Sequence, residues 1–303
     1  MEESSIMNQI QLTIDDVRSF WNVNPCGHAT HADKDRLAYF LGVEQFRYAT
    51  LPYILKIGRF SRFKGKKILE IGTGMGTDGV QFAKCGALYF GIDLTEEAIK
   101  LSQENFLLRG LNGELKQMDA ERLTFPDAMF DHVYSMGVIH HTVNPPAIIK
   151  EIFRVLKPDG TATVMIYNRT SINYFFEIMF LRKIGRALLR SKTAFKFISS
   201  VLNLDSLKLE RHREILLRRP HPTHEEWISM NTDGPDNPLS RVYSKKEAEE
   251  LFVKFSDVHT EVHFFDRSHW PFIKRYISVD FAEKIGRHYG WHRIVYARKP
   301  FNI

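Results

Sequence analysis

Residues 70–76 read EIGTGMG and place one carboxylate before three glycines at alternate positions. Glycines let a backbone turn tightly and let a ligand approach the main-chain amides. A helix is predicted directly after this loop, at 77–84, and the start of a helix presents N–H groups that no carbonyl of the helix can satisfy. The run therefore predicts a ligand-binding loop. Because Gly74, Gly76 and Gly79 also fit the G-x-G-x-x-G dinucleotide pattern, the loop alone leaves the type of ligand open.

Two further acids stand at the ends of predicted strands. Asp93 ends the second strand, where a carboxylate can accept hydrogen bonds from both ribose hydroxyls of an adenosine ligand. Asp119 follows the third strand together with Ala120 and Glu121, where an acid can accept the adenine amino group. Three acids at three successive strand ends are a rare outcome for ordinary solvated loop residues. These three acids, Glu70, Asp93 and Asp119, predict a site for an adenosyl ligand.

Strands and helices alternate through the first two thirds of the chain, which is typical of βαβ units and of a parallel sheet covered on both faces. Strands are predicted at 66–71, 87–93, 114–119, 130–136 and 161–167, with helices at 77–84, from Thr95, and at 145–156, and a turn at 157–160. After a long interruption, a capping box at Ser244 opens a helix to about Phe255, and strands at 258–265 and 291–298 close the sheet. The predicted fold is α/β, a doubly wound seven-stranded sheet.

These motifs together resemble the class I S-adenosylmethionine-dependent methyltransferases, and within them the type 11 methyltransferase domain. The resemblance covers about residues 66–168. It is carried by the glycine loop, Asp93, the DAE run at 119–121, the FDHVYS run at 130–135, His140-His141 and the RVLKPDG run at 154–160. It implies a Rossmann-like sheet, S-adenosylmethionine as methyl donor and S-adenosylhomocysteine as product.

The resemblance also implies roles for individual residues. Glu70 would order the loop and contact the methionine end, Asp93 would hold the ribose, and Asp119 with the Ala120 amide would read adenine. The expected cofactor-binding set is Trp21, Glu70, Gly72, Thr73, Gly74, Gly76, Asp78, Asp93, Leu94, Asp119, Ala120, Glu121, Ser135, Met136 and Gly137.

His140 and His141 follow the fourth strand, near the place where the methyl group would be presented. Histidine titrates in the range that suits a general base for a hydroxyl or amine acceptor, so both are candidate catalytic residues. The alternative is a histidine pair that packs or starts a helix. Candidate substrate residues are Arg47, Tyr48, Tyr167 and Arg169. No metal site is expected, because Cys26 with His28 and His31, and His221 with His224, match no closed zinc set.

Four regions are expected. Residues 1–65 form a helical, aromatic cap, 66–168 the cofactor-binding core, and 169–242 an inserted helical lid; residues 243–303 complete the sheet and carry a short insertion at 266–288. Long insertions in compact folds are usually lids or recognition elements. A polar set in the lid could bind substrate groups: His221, His224, Trp227, Asn231, Asp233 and Arg241.

The net charge of +6 is concentrated in particular segments, since residues 182–219 hold eleven Lys/Arg against three acids. This basic stretch continues an apolar helix that begins at Asn173. It is interpreted either as a lid helix with solvated charges or as a peripheral contact with an anionic membrane surface. Nucleic acid is disfavoured as a partner, because no recognised binding module is present.

The 303 residues contain 44% hydrophobic and 26% charged side chains, which excludes disordered and fibrous classes. No apolar run approaches the roughly 18 residues of a membrane span, no signal peptide is visible, and two cysteines fit a cytoplasmic protein. The sequence favours methyl transfer to an O, N, S or C nucleophile of a small-molecule or lipid-like acceptor. An NAD-dependent oxidoreductase and a non-catalytic adenosyl-binding module are the alternatives, and the sequence does not decide the oligomeric state.

Overall fold

Eight strands and eleven α-helices are formed in the computed structural model by the described residues, which are 12–24, 35–191, 193, 206–267 and 275–301. The strands are β1 (Lys67–Ile71), β2 (Leu88–Asp93), β3 (Glu114–Gln117), β4 (Phe130–Met136), β5 (Leu156–Asn168), β6 (Val242–Tyr243), β7 (Ser256–His263) and β8 (His292–Arg298). The helices are α1 (Ile14–Val23), α2 (Arg36–Thr50), α3 (Tyr53–Ile57), α4 (Thr77–Lys84), α5 (Glu96–Leu108), α6 (Pro145–Val155), α7 (Arg182–Leu189), α8 (Ser206–Arg218), α9 (His224–Met230), α10 (Lys245–Leu251) and α11 (Val279–Tyr289). Short 3₁₀ turns span Phe60–Phe63 and Ile139–His141, and a π-helix spans Asn173–Leu181.

The sheet has the order β3-β2-β1-β4-β5-β8-β7, and β6 pairs beside the end of β5. Strands β1 to β5 are mutually parallel where they pair, whereas β8 runs antiparallel to both of its neighbours. The predicted doubly wound α/β fold is confirmed, with seven strands on one path and the two-residue β6 as an addition. The chain order reverses between β1 and β4, so the crevice beyond the carboxyl ends of these two strands is the expected place for a ligand.

Alternate residues of the central strands enter two separate cores, one on each face of the sheet. Ile68 of β1 packs with Phe82 and Tyr134 on one face. Leu69 and Ile71 pack on the other face with the apolar side of α6. Both faces are therefore covered, and the ends of the strands are the part of the sheet left to build a site.

Helix α2 covers the glycine loop. Its Tyr39, Phe40 and Val43 form a small core with Met75 of the loop and Leu101 of α5. The described part of the predicted N-terminal cap is thus helical and lies against the loop. The predicted elements around Cys26, His28 and His31 fall outside the described residues, as do 268–274 of the second insertion and most of 192–205 in the lid.

Two predicted boundaries are corrected. Residues 157–160 were expected to form a turn, but they belong to β5, which begins at Leu156. Asp159 adopts a left-handed φ of 63° there, and the segment is held because the Asp159 amide donates to Lys299 O at 3.0 Å while the Lys299 amide donates to Gly160 O at 2.8 Å. The helix that opens at Ser244 ends at Leu251 and not near Phe255. Among the described residues, no helix combines the length and apolar character of a bilayer span.

Candidate functional site

The glycine loop leaves β1 with its backbone turned toward the crevice. Gly72 and Thr73 both donate their amides to Ile92 O, at 2.8 and 3.0 Å, which fixes the loop beside β2. Gly74 has a φ of +52°, and a Cβ built on it would meet no atom within 4 Å. Gly72 has a φ of +77°, and a Cβ there would lie 2.1 Å from Val138 Cγ2. The loop is therefore closed against protein at Gly72 and open at Gly74, where a ligand has room to approach the backbone.

Asp93 fastens this loop to the start of α5. Its Oδ2 accepts the Gly74 amide at 3.0 Å, and its Oδ1 accepts the Thr95 amide at 3.0 Å and the Thr95 hydroxyl at 2.9 Å. Burial raises the pKa of the Asp93 carboxyl, although these hydrogen bonds oppose the rise. The carboxylate thus stands beside the open backbone of Gly74, the position from which it would reach a ribose.

Glu70 is buried under the loop. Tyr89 donates its hydroxyl hydrogen to Glu70 Oε2 at 2.6 Å, and the Tyr89 oxygen also lies 2.8 Å from Thr73 Oγ1. Burial raises the pKa of Glu70 well above its ordinary value, and the nearby Asp78 carboxylate adds a smaller rise. Glu70 therefore orders the loop through Tyr89, a residue that the sequence analysis did not single out.

Two glycines make room for Tyr89. A Cβ on Gly79 would lie 2.3 Å from the Tyr89 hydroxyl oxygen, and a Cβ on Gly91 would lie 2.7 Å from it. Gly79, which completes the dinucleotide-like pattern in the sequence, thus has a packing reason that involves no ligand. Gly79 therefore cannot be counted as evidence for a dinucleotide-binding loop.

Asp78 is occupied by protein partners. Arg47 contacts it with two nitrogens, at 2.9 and 2.6 Å, and the hydroxyls of Tyr48 and Tyr134 each donate to it at 3.0 Å. The Asp78 side chain is 1% exposed. The structure therefore brings predicted cofactor residue Asp78 together with predicted substrate residues Arg47 and Tyr48 in a buried network that joins α2, α4 and β4.

The acids predicted to read adenine lie in the loop after β3. The Asp119 carboxylate accepts the Glu121 amide at 2.8 Å, and Glu121 in turn accepts the Asn144 amide at 2.8 Å. Leu94 and Gln117 are tied by a 3.0 Å hydrogen bond from the Gln117 side chain to Leu94 O. Ala120 lies between Asp119 and Glu121 in the sequence. The predicted cofactor residues Leu94 and 119–121 thus follow two neighbouring strands, β2 and β3.

The loop after β4 forms the wall next to β1. Ser135 is buried and donates its hydroxyl to Ile71 O at 3.1 Å. Gly137 has a φ of +82°, and a Cβ on it would contact Met165 at 3.5 Å. Ser135 and Met136 end β4 and Gly137 follows it, so these three predicted cofactor residues lie where the strand order reverses between β1 and β4.

His140 is buried in a stack of rings. Its ring centroid lies 3.8 Å from that of Tyr167 and 4.2 Å from that of His141. Burial, followed by the charges of His141 and His292, lowers the pKa of His140 well below its ordinary value. The His140 ring therefore packs between the rings of Tyr167 and His141.

His141 faces the lid and the N-terminal cap together. Its Nδ1 lies 2.7 Å from Leu239 O, its Nε2 lies 3.4 Å from Asp233 Oδ2, and its ring meets Trp21 edge-on with centroids 5.0 Å apart. Tyr167 donates its hydroxyl to Asp233, with both carboxylate oxygens at 3.0 Å. Residues from four separated segments thus meet at one point.

The remaining candidate substrate residue points elsewhere. Arg169 pairs with Glu247 of α10 at 2.9 Å and donates to Val242 O at 3.0 Å. It borders an open groove of about 630 Å³ between α6, α9, β6 and α10. The lining of that groove includes Arg169 but none of residues 70–76.

The polar set predicted in the lid is also divided. Asp233 reaches His141, whereas exposed His224 lies 3.3 Å from the Tyr174 hydroxyl and buried Trp227 donates to Ile178 O at 3.1 Å. Arg241 pairs with Glu225 at 3.4 Å and donates to Thr142 O. Among the described residues, no group of three or more His, Cys, Asp or Glu is arranged to hold a metal.

Three arginines of the lid contact groups of the protein. Arg182 pairs with Glu177 at 2.6 Å, and Arg186 and Arg190 both donate to Pro220 O. The exposed stripe along the same helical segment is apolar and consists of Phe176, Phe180, Ile184 and Leu188. Of these three arginines only Arg182 has a carboxylate partner, and none of these contacts supports membrane contact.

Comparisons with known proteins show what this chain resembles. Residues 69–164 match the family described as "Methyltransferase domain". The "Ubiquinone biosynthesis O-methyltransferase" of Pseudomonas fluorescens (strain Pf0-1) is 34% identical over 134 residues, which are 44% of this chain and 57% of that protein. The protein of the same name from Psychrobacter cryohalolentis is 28% identical over 176 residues, 56% of this chain and 68% of that one.

Among solved structures, the PH0226 protein from Pyrococcus horikoshii OT3 superposes with a TM-score of 0.52 at 17% identity, over 93% of this chain and 98% of that one. A likeness at this identity shows the fold alone. The chain spans little more than half the length of the first of the curated relatives, at 57%.

Proposed function

We propose that this chain, which carries a methyltransferase domain in residues 69–164, is an S-adenosylmethionine-dependent methyltransferase. The observation that carries the proposal is the relation of Asp93 to Gly74: a buried carboxylate holds the loop amide at 3.0 Å beside backbone that is open to a ligand. The family match of the same residues supports this assignment.

The residues present fit the cofactor. Open backbone at Gly74 accommodates the ligand, Asp93 holds the ribose, and Asp119 with the Ala120 amide binds adenine. Ser135, Met136 and Gly137 border the methionine end, and Glu70 keeps the loop in place through Tyr89. When bound, the cofactor supplies a methyl group on a sulfonium sulfur. The sulfur leaves as a neutral thioether, so the protein does not have to activate the leaving group.

The protein's own contribution is to orient the acceptor and to exclude water. Holding two reactants in line can lower a barrier by roughly 7–11 kcal/mol. Trp21 of the cap and Asp233 of the lid both reach His141. We assign the segment 169–242 as the lid that completes the acceptor site, and the described part of 1–65 as the cap over the cofactor.

The proposed acceptor is a hydroxyl of a small or lipid-like molecule. The curated relatives named above are O-methyltransferases by name, and a proton-accepting side chain at the site suits an oxygen nucleophile. The chain spans only part of those relatives, so the shared name supports the reaction type and leaves the individual acceptor to experiment.

Calorimetry tests the cofactor assignment. S-adenosylhomocysteine is expected to bind with a dissociation constant on the order of micromolar, and NAD is expected to give no heat of binding. NAD binding with no response to S-adenosylhomocysteine would support the oxidoreductase alternative and overturn the proposal. Transfer of a labelled methyl group from S-adenosylmethionine to a panel of phenols and alcohols then separates an enzyme from a non-catalytic binding module.

A further inference from the structure

A cavity of about 110 Å³ lies at the end of the sheet where β1 and β4 begin. Its wall includes His132 of β4, Thr161 of β5 and Arg298 of β8, which are register neighbours across the three strands. His132 also pairs with Ile68 near the start of β1, whereas the glycine loop follows the last residue of that strand. The cavity is therefore separated from the glycine loop by the length of β1.

The charged lining of this cavity is mostly basic. Its titratable side chains, apart from one tyrosine, are three arginines, two histidines and one acid: Arg59, Arg62, Arg298, His132, His259 and Asp257. The acid does not balance the arginines, because the Asp257 carboxylate already pairs with Arg298 Nε at 3.1 Å. A second carboxylate, Asp159, lies 2.7 Å from Nη1 of the same arginine. The other two arginines are left to give the cavity an excess of positive charge.

These two arginines come from one turn. Arg59 directly precedes the 3₁₀ turn Phe60–Phe63, and the Arg62 amide donates to Arg59 O at 2.8 Å. A 3₁₀ turn brings residues three apart to the same side, and both arginines line the cavity. Neither guanidinium forms an ion pair with a carboxylate of the described residues. The neighbouring sequence offers no counter-ion either, since residues 54–67 contain six Lys/Arg and no acid.

The backbone at Arg59 is unusual for an arginine. It has a left-handed conformation, with φ +44° and ψ +38°, which a glycine adopts more readily. Strained backbone of this kind is found most often at ligand-binding and active sites. A glycine here would relieve the strain but would remove a cation from the cavity, where the Arg59 guanidinium lies 5.9 Å from the centroid of the Tyr296 ring. The arginine side chain is thus the reason to look for a ligand at this point.

The inner wall of the cavity is uncharged. His132 is buried, its ring stacks on Phe63 with centroids 4.3 Å apart, and its Nδ1 lies 2.8 Å from Thr161 Oγ1. Burial lowers the pKa of His132 to about 3, and the positive charge of Arg62 adds to the lowering. A ligand that enters therefore meets exposed arginines first, and then a neutral ring and the hydroxyl of buried Thr163.

We propose that Arg59 and Arg62 bind a phosphate group in this cavity, either as free phosphate or as part of a small phosphorylated molecule. A phosphate monoester carries about −1.5 to −2 elementary charges at neutral pH, which matches two guanidinium groups without carboxylate partners. Arginine also suits phosphate geometrically, because its planar fork donates two parallel hydrogen bonds to two oxygens. The site is distinct from the proposed cofactor site, and the inference does not rest on the methyltransferase assignment.

Phosphorus NMR of the full-length protein at constant ionic strength tests the site, with inorganic phosphate and ribose 5-phosphate as the two probes. At least one probe is expected to bind the wild type. Combining Arg59→Gln with Arg62→Gln is expected to weaken that binding by about tenfold or more, because both charge-assisted forks are lost. Lys64→Gln is the matched control: it removes a positive charge from the same segment but outside the cavity lining, so affinity should change by less than about twofold.

Arg59 and Arg62 are both exposed, so the double variant should fold with an unchanged thermal unfolding midpoint. Arg62→Gln alone gives a second measurement and should weaken binding in the same direction. Preference for inorganic phosphate or for ribose 5-phosphate identifies the source of the group, and either result supports the site. Binding of neither probe, an equal loss of affinity in Lys64→Gln, or displacement of the probe by S-adenosylhomocysteine would overturn the inference.

Discussion

Arg47 of α2 grips Asp78 of α4 with two hydrogen bonds, Nε to Oδ1 at 2.9 Å and Nη2 to Oδ2 at 2.6 Å. The carboxylate is 1% exposed, and Tyr48 and Tyr134 donate to it as well. Removing one member of a buried ion pair leaves the other charge uncompensated. Helix α2 is therefore held against α4 and β4 by electrostatics as well as by packing.

Arg47→Met is expected to lower the free energy of unfolding by about 3–5 kcal/mol, because it leaves the Asp78 carboxylate buried without its cation. Urea denaturation measures the change. Lys100→Met is the matched control: its ion pair with Glu96 is solvent-exposed and lies within a single helix, so its loss should leave the unfolding midpoint unchanged. Equal effects of the two substitutions would contradict the structural role of the Arg47–Asp78 pair.

Asp93→Ala is expected to affect both stability and ligand binding. Asp93 accepts three hydrogen bonds that join the glycine loop to α5, so the free energy of unfolding without ligand should fall by about 1–3 kcal/mol. The dissociation constant for S-adenosylhomocysteine should rise at least tenfold, because the ribose loses its acceptor. Thermal unfolding and calorimetry give the two numbers.

Asp119→Ala serves as the comparison for Asp93. Its side chain accepts a local hydrogen bond from the Glu121 amide, so stability should change by less than about 1 kcal/mol. Binding of S-adenosylhomocysteine should still weaken. If neither Asp93→Ala nor Asp119→Ala weakens binding of S-adenosylhomocysteine, these two acids do not belong to the cofactor site.

Gly72→Ala and Gly74→Ala separate packing from ligand space. Both residues have a positive φ, which costs an alanine about 1–2 kcal/mol. At Gly72 the new Cβ would also lie 2.1 Å from Val138 Cγ2, whereas at Gly74 it enters open space. Gly72→Ala should therefore be the less stable variant, and Gly74→Ala should fold and lose S-adenosylhomocysteine affinity. If denaturation shows Gly74→Ala to be the less stable variant, and calorimetry shows that it keeps its affinity for S-adenosylhomocysteine, the ligand does not approach the loop at Gly74.

His132 gives a pH dependence that is independent of the site. Burial lowers the pKa of His132 to about 3. Between pH 6.5 and 3 the histidine is therefore protonated in the unfolded chain and neutral in the folded protein. Stability contributed by this histidine is therefore lost as the pH falls from about 6.5 toward 3, by about 1.4 kcal/mol per pH unit. His132→Gln should reduce the slope of unfolding free energy against pH by that amount. His221→Gln, at an exposed position, should leave the slope unchanged.

The sheet and the cofactor loop were predictable because they are encoded locally. Alternating apolar strands and helices gave the order of elements, and Thr95 gave the start of α5, where its hydroxyl accepts the Ala98 amide at 3.3 Å. Asp93 and Asp119 were found at strand ends because an acid after a buried strand stands out against its neighbours. These signals need only a few adjacent residues.

The partners of the acids were not predictable in the same way. Arg47 reaches Asp78 across 31 positions, and Tyr167 reaches Asp233 across 66. Nothing in either segment indicates which distant group it will meet, so the sequence predicts Arg47 and Tyr48 only as candidate substrate residues, and Asp233 only as one of six candidates in the lid. Tyr89 and Tyr134 look like ordinary buried strand residues, and only the fold reveals their hydroxyls as donors to Glu70 and Asp78.

The space around Tyr89 makes three positions interdependent. Gly79 and Gly91 each leave a volume that the Tyr89 ring and hydroxyl fill. An alanine at either glycine should be poorly tolerated in the wild type. Gly79→Ala should be much better tolerated once Tyr89 is shortened to leucine, whereas a Cβ at residue 91 would still lie 2.8 Å from Leu115 Cδ2. The Leu substitution alone opens a void and releases the hydrogen bond to Glu70. Homologous chains that replace the tyrosine are therefore expected to carry larger residues at one or both glycines. Positions 79, 89 and 91 should covary so that the total volume of their side chains stays about the same.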